Sequence, residues 1–453
     1  NIRADIDIVK IKREEARTLE TAERWIDARR IYIELIREFG RADLIEDIRL
    51  PLMIDTLPGG VTIHINGQPI PAKAPHVIRL NAFIESDIQL SREGYEPTSM
   101  VLGPFGKNTD PEDFIKRAEL LKMAMLELNL GSSPIDSRPV VWGQRAAVIA
   151  RDGTFAIIDT KTNKSIRKAR IPKVIGFAAG LVAAGNTVYA LGLDGKLYSI
   201  GATKGYTTRD LGFRDGVYAT PILKDNVLYA ADESGMVIAF NLESEERIWV
   251  AKAAPNVGRG LDLVMQNDQL IVSSEGGTIT VLAMKDGKRS APDIKVPGPL
   301  RCAPLALDDF NIEITLHDGT LEIWDLETGS KRPNNGQPKI KGSRTQRPIH
   351  HGSTVFVSPR DRELLAFDPN TGDPSVGYRP MKSVTRVKVS PTDRIVFAHG
   401  SALTAYARGR DSYAPAWVFR ANGRITFAPL IVDGAVYIGD DRGFIYRVDA
   451  NDE

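Results

Sequence analysis

The sequence predicts a mainly β protein in which an eight-bladed β-propeller fills the last two-thirds, preceded by a small β-domain and a short helical segment. Three observations carry that prediction. A unit of about 40 residues recurs from about Ser137 onward. Each copy sets two alternating strands around an acidic-glycine turn. Ahead of the copies the pattern changes, first to short strands bounded by Pro and Gly and, earlier still, to apolar residues three and four positions apart.

Taken in chain order, residues 1–49 read as the helical segment. Trp25, Ala28, Tyr32, Leu35 and Phe39 share one face of a helix, with Arg24, Arg29, Arg30 and Arg37 interspersed. Residues 50–107 read as a compact β-domain, because PLMIDTLPGGVTIHINGQPI is followed by further short strand-like runs and the Gly94-Tyr95 pair. Residues 108–123 read as a linking helix. Thr109, Asp110 and Pro111 supply an N-terminal cap, a Pro in the first turn and acids beside the positive end of the dipole.

Residues 124–453 carry the repeat. The turn glycines Gly153, Gly195, Gly235, Gly277 and Gly319 recur at intervals of 42, 40, 42 and 42 residues, and Gly443 follows 124 residues later. That last gap holds two degenerate copies whose turn glycine is replaced near Arg362 and Ser401, which makes eight units. A period of about 40 to 45 residues with several short strands per unit is the signature of a propeller. The final copy lacks its outermost strand, and residues 124–130, AMLELNL with its closing Leu included, are expected to supply it and close the ring. The pairs Asp152-Gly153, Asp194-Gly195 and Asp318-Gly319 read as hairpin turns rather than metal ligands.

Lys and Arg together number 59 against 58 Asp and Glu, so no global field draws the chain to nucleic acid or anionic lipid. The single cysteine, Cys302, excludes an internal disulfide and a cysteine metal cluster. No run reaches the ~20 apolar residues of a spanning helix. The chain begins with Asn1 rather than Met, which is read as a trimmed or processed end with room upstream for a signal, an anchor or another domain.

The repeat resembles the one shared by pyrroloquinoline quinone dehydrogenases and the propeller lipoprotein of outer-membrane assembly, with consensus A-x-D-x-x-T-G-x-x-x-W. Ala239, Asn241, Ser244 and Trp249 follow it, as do Ala366, Asp368, Thr371 and Gly372, and Asp325, Thr328 and Gly329. The resemblance implies that the motif ties neighbouring blades together with Trp packed between them.

The β-domain resembles the PEGA family. Pro58, Gly59, Gly60, Val61, Ile63, Ile65, Asn66 and Gly67 match its core, and Pro75, Gly94 and Tyr95 its later landmarks, with Val61 and Ala74 departing from the usual residues. The helix around Ala28 and Tyr32 looks like half of a tetratricopeptide unit. Such modules joined to such propellers look like parts of bacterial envelope proteins and of receptor-like kinases, which implies an extracytoplasmic envelope location, with the cytoplasm as the alternative.

No catalytic residue, cofactor or metal site is expected. A quinone dehydrogenase needs calcium ligands, an acidic base and an aromatic floor, and many carry adjacent cysteines, which one Cys cannot supply. Trp142, Trp249, Trp324 and Trp417 fall at strand positions where blade packing accounts for them. His350 and His351 are adjacent on a strand and point to opposite faces.

One stretch stands out as a partner-binding candidate, the basic loop 331–348, with Lys331, Arg332, Lys339, Lys341, Arg344 and Arg347 and no acid among them. The function expected is therefore non-catalytic. The chain would be a scaffold or sensor ectodomain that binds a protein or cell-surface polymer through propeller-face loops. The alternatives are the quinone-dependent dehydrogenase and cell-wall binding by the PEGA-like domain.

Overall fold

The computed structural model describes residues 2–40, 43–258, 261–300, 302–316, 320–333, 349–351, 354–357, 365–367, 386–389, 394–408 and 413–451. The chain divides into two compact units, one of residues 1–123 with 415–419 and one of residues 124–414 with 420–453.

The first unit opens with two helices, α1 (Ile2–Thr21) and α2 (Trp25–Phe39). They pack on each other through Val9, Ala16, Ala28, Tyr32 and Ile36, and onto Ile48 and Leu50 of the following chain. Arg29 of α2 is fully buried in this core. Its Nη1 donates to the Pro51 carbonyl at 3.1 Å and its guanidinium lies 5.6 Å from the centre of the Phe105 ring.

Two sheets complete the unit. One has Arg49–Leu57 at its centre, antiparallel to His76–Asn81 and parallel to Ile115–Glu119. The other runs Gln68–Ala74, Val61–Ile65, Ser86–Ser91, Thr98–Leu102, with Asn66-Gly67 making the tight turn between its first pair at φ values of 51° and 79°.

The linking helix expected over 108–123 is not formed. Asp110 Oδ1 accepts the Glu112 N–H at 2.9 Å, so the acid makes a local turn instead of capping a helix. Ile115–Glu119 then pairs residue for residue with Met53–Leu57. The run is rich in helix-favouring residues. The open edge of Arg49–Leu57 and the burial of Phe114 and Leu120 on either side outweigh a propensity difference of only ~0.5 kcal/mol per residue.

In the second unit, small antiparallel sheets follow one another along the chain. The first sheet is Val140–Trp142, Arg145–Ile149, Thr154–Asp159 and Lys164–Arg170. The second is Val182–Ala184, Thr187–Leu191, Lys196–Gly201 and Tyr206–Asp210. The third is Ile222–Lys224, Val227–Ala231, Met236–Asn241 and Glu246–Lys252. Further sheets join Val264–Gln266, Gln269–Ser273, Thr278–Ala283 and Ile294–Lys295, then Leu305–Ala306, Asn311–Thr315 and Leu321–Asp325, then Ile349–His351, Thr354–Val357 and Leu365–Phe367, then Arg386–Val389, Arg394–His399 and Ala402–Arg408. The last joins Leu430–Val432, Ala435–Gly439 and Phe444–Asp449 to Leu126–Asn129, which runs antiparallel to Phe444–Asp449.

The turn glycines sit where a side chain would clash. Gly153, Gly195, Gly235, Gly277 and Gly443 all have φ between 72° and 86°. A Cβ on Gly443 would lie 2.2 Å from the Gly131 carbonyl oxygen. Gly319 and Arg362 lie outside the described residues. In the copy read as having Ser401 at its turn, the left-handed position is taken by its neighbour Gly400, at φ 56°.

The acidic position of the consensus has a clear local role. Asp159 Oδ1 accepts the N–H groups of Lys161 and Thr162, Asn241 Oδ1 those of Glu243 and Ser244, and Asp325 Oδ1 those of Glu327 and Thr328. Each turn then passes through a left-handed residue: Asn163, Glu245 and Gly329, with Gly205 and Gly287 in the same place elsewhere.

Trp249 packs from the third sheet against the next one. Its Nε1 donates to the Met284 carbonyl at 2.8 Å, and a Cβ on Gly287 would fall 2.6 Å from the indole. Trp142 likewise reaches the Gly185 carbonyl of the second sheet at 3.2 Å. Trp417, on the strand Tyr413–Arg420, is fully buried and lies 5.1 Å from the Lys122 ammonium, which also faces the Tyr95 ring at 5.5 Å.

Candidate functional site at the ends of the innermost strands

The first strands of neighbouring sheets lie side by side, as Val140–Trp142 does with Val182–Ala184 and Val182–Ala184 with Ile222–Lys224. The residue two places before each of these strands therefore falls in one row: Arg138, Gly180, Thr220, Asp262 and Ala303. The row is mostly small, and its contacts run from sheet to sheet. The Leu181 N–H donates to the Arg138 carbonyl at 3.2 Å, and the Thr220 N–H to Asp262 Oδ1 at 3.0 Å. A Cβ on Gly180 would lie 2.6 Å from Thr220 Cγ2, so glycine is what lets these two neighbours meet.

Two charges break the row. Arg138 Nη2 stands 3.7 Å from Asp262 Oδ2, although one precedes the first sheet and the other the fourth. Both side chains keep solvent access, 39% and 28%.

The opposite ends of the same strands carry a second polar belt. Arg145 bonds Asn186, Lys224 pairs with Asp268, and the side chains of Gln266 and Asn267 donate to the Asp308 and Asp309 carbonyls. Asp225, Asn226, Asn267 and Asp268 hold left-handed φ values of 47° to 61°, as two-residue hairpin turns require.

Of the basic-loop candidates, Lys331 and Arg332 are described, and neither stands alone. Lys331 Nζ lies 2.5 Å from Glu322 Oε1 and Arg332 Nη2 3.3 Å from Asp325 Oδ2, so acids of their own hairpin take up both charges. Lys339, Lys341, Arg344 and Arg347 lie outside the described residues. His350 and His351 fall on the strand Ile349–His351. Cys302 is buried. Among the described residues, no group of three or more His, Cys, Asp or Glu side chains is placed to hold a metal, and no helix is long and apolar enough to cross a membrane.

Sequence reasoning passed over Arg138 and Asp262. The signal was there, since in a row that otherwise reads Gly, Thr, Ala, two charges at one repeat position stand out. It also passed over Asp232 and Asp440, each three residues before a turn glycine and each fully buried. Asp232 accepts from the Met236 N–H and the Ser234 hydroxyl, and Asp440 from the Gly423 and Phe444 N–H groups and the Tyr446 hydroxyl. These acids staple turns, and burial with the Asp440 bond holds the Tyr446 phenol well above its ordinary range.

A sequence model described as "Outer membrane protein assembly factor BamB" matches residues 141–376, more than half of the chain. The chain belongs to that family. An outer membrane protein assembly factor BamB of Burkholderia pseudomallei (strain K96243) is 21% identical over 320 residues, covering 69% of this chain and 73% of that protein. The crystal structure of BamB from Moraxella catarrhalis superposes with a TM-score of 0.56 at 14% identity, covering 72% of this chain and 99% of that one. The computationally designed Ika8 protein gives 0.57 at 16% identity, with the same coverage. At these identities the BamB-like fold is what the structures share. The chain is thus a mainly β, propeller-like member of the family with two helices described ahead of its sheets.

Proposed function

We propose that this chain is a non-catalytic protein-binding scaffold of the bacterial cell envelope that takes part in outer-membrane protein assembly. The observation that carries the reading is the family match over residues 141–376. In this proposal the second unit is an eight-bladed propeller in which Leu126–Asn129 completes the final blade. The small sheets following one another along the chain and the pairing with Phe444–Asp449 support it. The strands of residues 50–107 are the PEGA-like module that the motif residues suggest, and the chain works outside the cytoplasm.

Partner contact falls on the loops at the ends of the innermost strands. The Arg138–Asp262 pair and the polar belt at the opposite ends support this, because rigid strands present charged groups there with solvent access. Affinity in such surfaces comes from a few anchors rather than from area.

Deleting the gene in the source organism and quantifying outer-membrane β-barrel proteins tests the reading. A several-fold fall, restored by the wild-type chain and not by one carrying Arg138→Glu with Asp262→Lys, is the expected result. Unchanged barrel content in the deletion strain refutes it.

A further inference from the structure

The outer strand of the first sheet differs from its neighbours in charge. Between Lys161 and Lys173 the chain reads KTNKSIRKARIPK, six cations in thirteen residues with no acid. The strand Lys164–Arg170 lies at the end of its sheet, and among the described residues it pairs only with Thr154–Asp159. Arg167 turns toward the second sheet, its guanidinium 4.9 Å from the Phe155 ring and its Nη1 donating to the Gly201 and Gly205 carbonyls. Lys168 Nζ donates to the Asn129 carbonyl at 2.6 Å, and Arg170 Nη2 stands 3.3 Å from Asp152 Oδ2 with its side chain still 64% exposed. Lys161, Lys164 and Lys173 are exposed, and their ammonium groups make no ion pair among the described residues. A surplus of positive charge therefore stands in solvent along one sheet edge.

The backbone of that edge is open as well. The Ile171 N–H donates to the Gly153 carbonyl at 3.0 Å, in register with the pairs Arg170–Thr154, Ala169–Phe155 and Lys168–Ala156. Bonded and non-bonded pairs alternate in an antiparallel ladder, so Ala169 bonds to the neighbouring strand, while the N–H and C=O of Lys168 and Arg170 point out of the sheet. The same register positions are Thr208 and Asp210 in the second sheet and Val250 and Lys252 in the third. There Arg289 Nη2 already donates to the Lys252 carbonyl at 3.0 Å, which covers part of the third edge. Lysines on an edge strand can serve only to keep wrong strands away. That hazard is common to all the outer strands, yet Tyr206–Asp210 carries one cation and one acid where Lys164–Arg170 carries four cations. Complementary charge on an incoming strand accounts for the difference.

We propose that Lys164–Arg170 is the docking edge for an extended acidic segment of a partner protein, added antiparallel as a fifth strand with carboxylates opposite Lys168 and Arg170. The outward main-chain groups supply the hydrogen bonds, and the cations select the partner. This rests on the reading of the chain as a protein-binding scaffold and gives one partner contact a place and a charge.

The probe is the peptide acetyl-Thr-Glu-Val-Glu-Val-Glu-Thr-amide, titrated into the full chain by calorimetry at low ionic strength beside the same peptide with Gln for each Glu. The acidic peptide should bind at least tenfold more tightly. A residue opposite Lys168 or Arg170 in the added strand turns its own N–H to the edge. Methylating the three Glu backbone nitrogens should therefore weaken binding at least tenfold, whereas methylating the two Val nitrogens should leave it unchanged. Lys164→Glu with Lys168→Glu should also weaken binding at least tenfold, and Lys204→Glu, an exposed cation of the second sheet, should leave it unchanged. The methylated peptides keep the test decisive if the double variant misfolds. Equal binding of the Glu and Gln peptides, or of the two methylated peptides, overturns the proposal. So does binding of phosphatidylglycerol vesicles that the double variant abolishes while the wild-type chain ignores the peptide, since that assigns the cations to a lipid surface. Failure here with a normal outcome of the deletion experiment removes the docking edge and leaves the scaffold reading standing.

Discussion

Replacing Gly287 by Ala should destabilise the second unit through two separable effects, and a double-mutant cycle with Trp249 separates them. Gly287 has φ +70°, a conformation that costs a residue with a Cβ about 1–2 kcal/mol. The new methyl would also sit 2.6 Å from Trp249 Cε3 and 2.7 Å from Cδ2. The indole cannot give way freely, because its Nε1 is fixed on the Met284 carbonyl and its other side lies near Tyr229. Overpacking of this kind typically costs about 1–3 kcal/mol, so the single variant should lose about 2–5 kcal/mol in all.

Trp249→Ala alone should lose about 3–5 kcal/mol, since the side chain is buried. With the indole gone, Gly287→Ala should cost only the backbone part, about 1–2 kcal/mol. The cycle should therefore show a favourable coupling of about 1–3 kcal/mol, read from urea unfolding of the four chains by far-ultraviolet circular dichroism. Strict additivity, within about 0.5 kcal/mol, would refute the claim that the indole rests on Gly287.

Four further outcomes follow from the same geometry. Glu245 holds the left-handed position that Gly287 holds one sheet later, so Glu245→Gly should stabilise by about 0.5–1 kcal/mol after loss of its exposed pair with Arg209, measured by urea unfolding. The Thr328 N–H holds Asp325 below its ordinary 3.8, so its contribution is present above that pH and lost as pH falls through the lowered value. Asp325→Asn should keep the turn, as Asn241 does, and flatten the acid limb of a thermal-melt series. Burial pushes the Tyr406 phenol up to about 12, so stability present below pH 10 should fall as pH rises towards 12, and Tyr406→Phe should remove that part, seen in phenolate absorbance and melting temperature. Burial lowers the pKa of Arg29, whose Nε and Nη2 have no hydrogen-bond partner among the described residues. Arg29→Met should be neutral or stabilise by up to about 2 kcal/mol, and a loss of more than 2 kcal/mol would contradict this.

Spacing made the repeat unit legible, because a positive φ at each turn forces glycine and the cross-strand packing forces alternation. The consensus positions were legible too, and Asp159, Asn241 and Asp325 show the physical reason, one acceptor for two turn N–H groups. The helix read into 108–123 failed because capping signals are local, whereas the edge that captures Ile115–Glu119 is supplied by a strand some sixty residues earlier. Trp417 was read as blade packing from its strand position alone, and its cation neighbour Lys122 could not be seen from there. Arg138 and Asp262 escaped notice for a related reason. Their meeting depends on how far the sheets curve, and a linear string carries the row but not the curvature.

The pairing of Leu126–Asn129 with Phe444–Asp449 has a consequence for synthesis. Its two halves are made more than 300 residues apart. At about 5–20 residues per second a ribosome takes roughly 15–60 seconds between them. Until the last strand is made, Leu126–Asn129 lacks the partner it has in the finished sheet, and an unpaired strand is open to pairing with the wrong chain. Its own composition answers the hazard: it is four residues long, and Glu127 interrupts its two leucines with a charge that disfavours pairing with the wrong chain. In the finished protein that same carboxylate accepts a hydrogen bond from Asn422 at 2.8 Å, so the residue that guards the nascent edge becomes part of the seam once the last strand arrives.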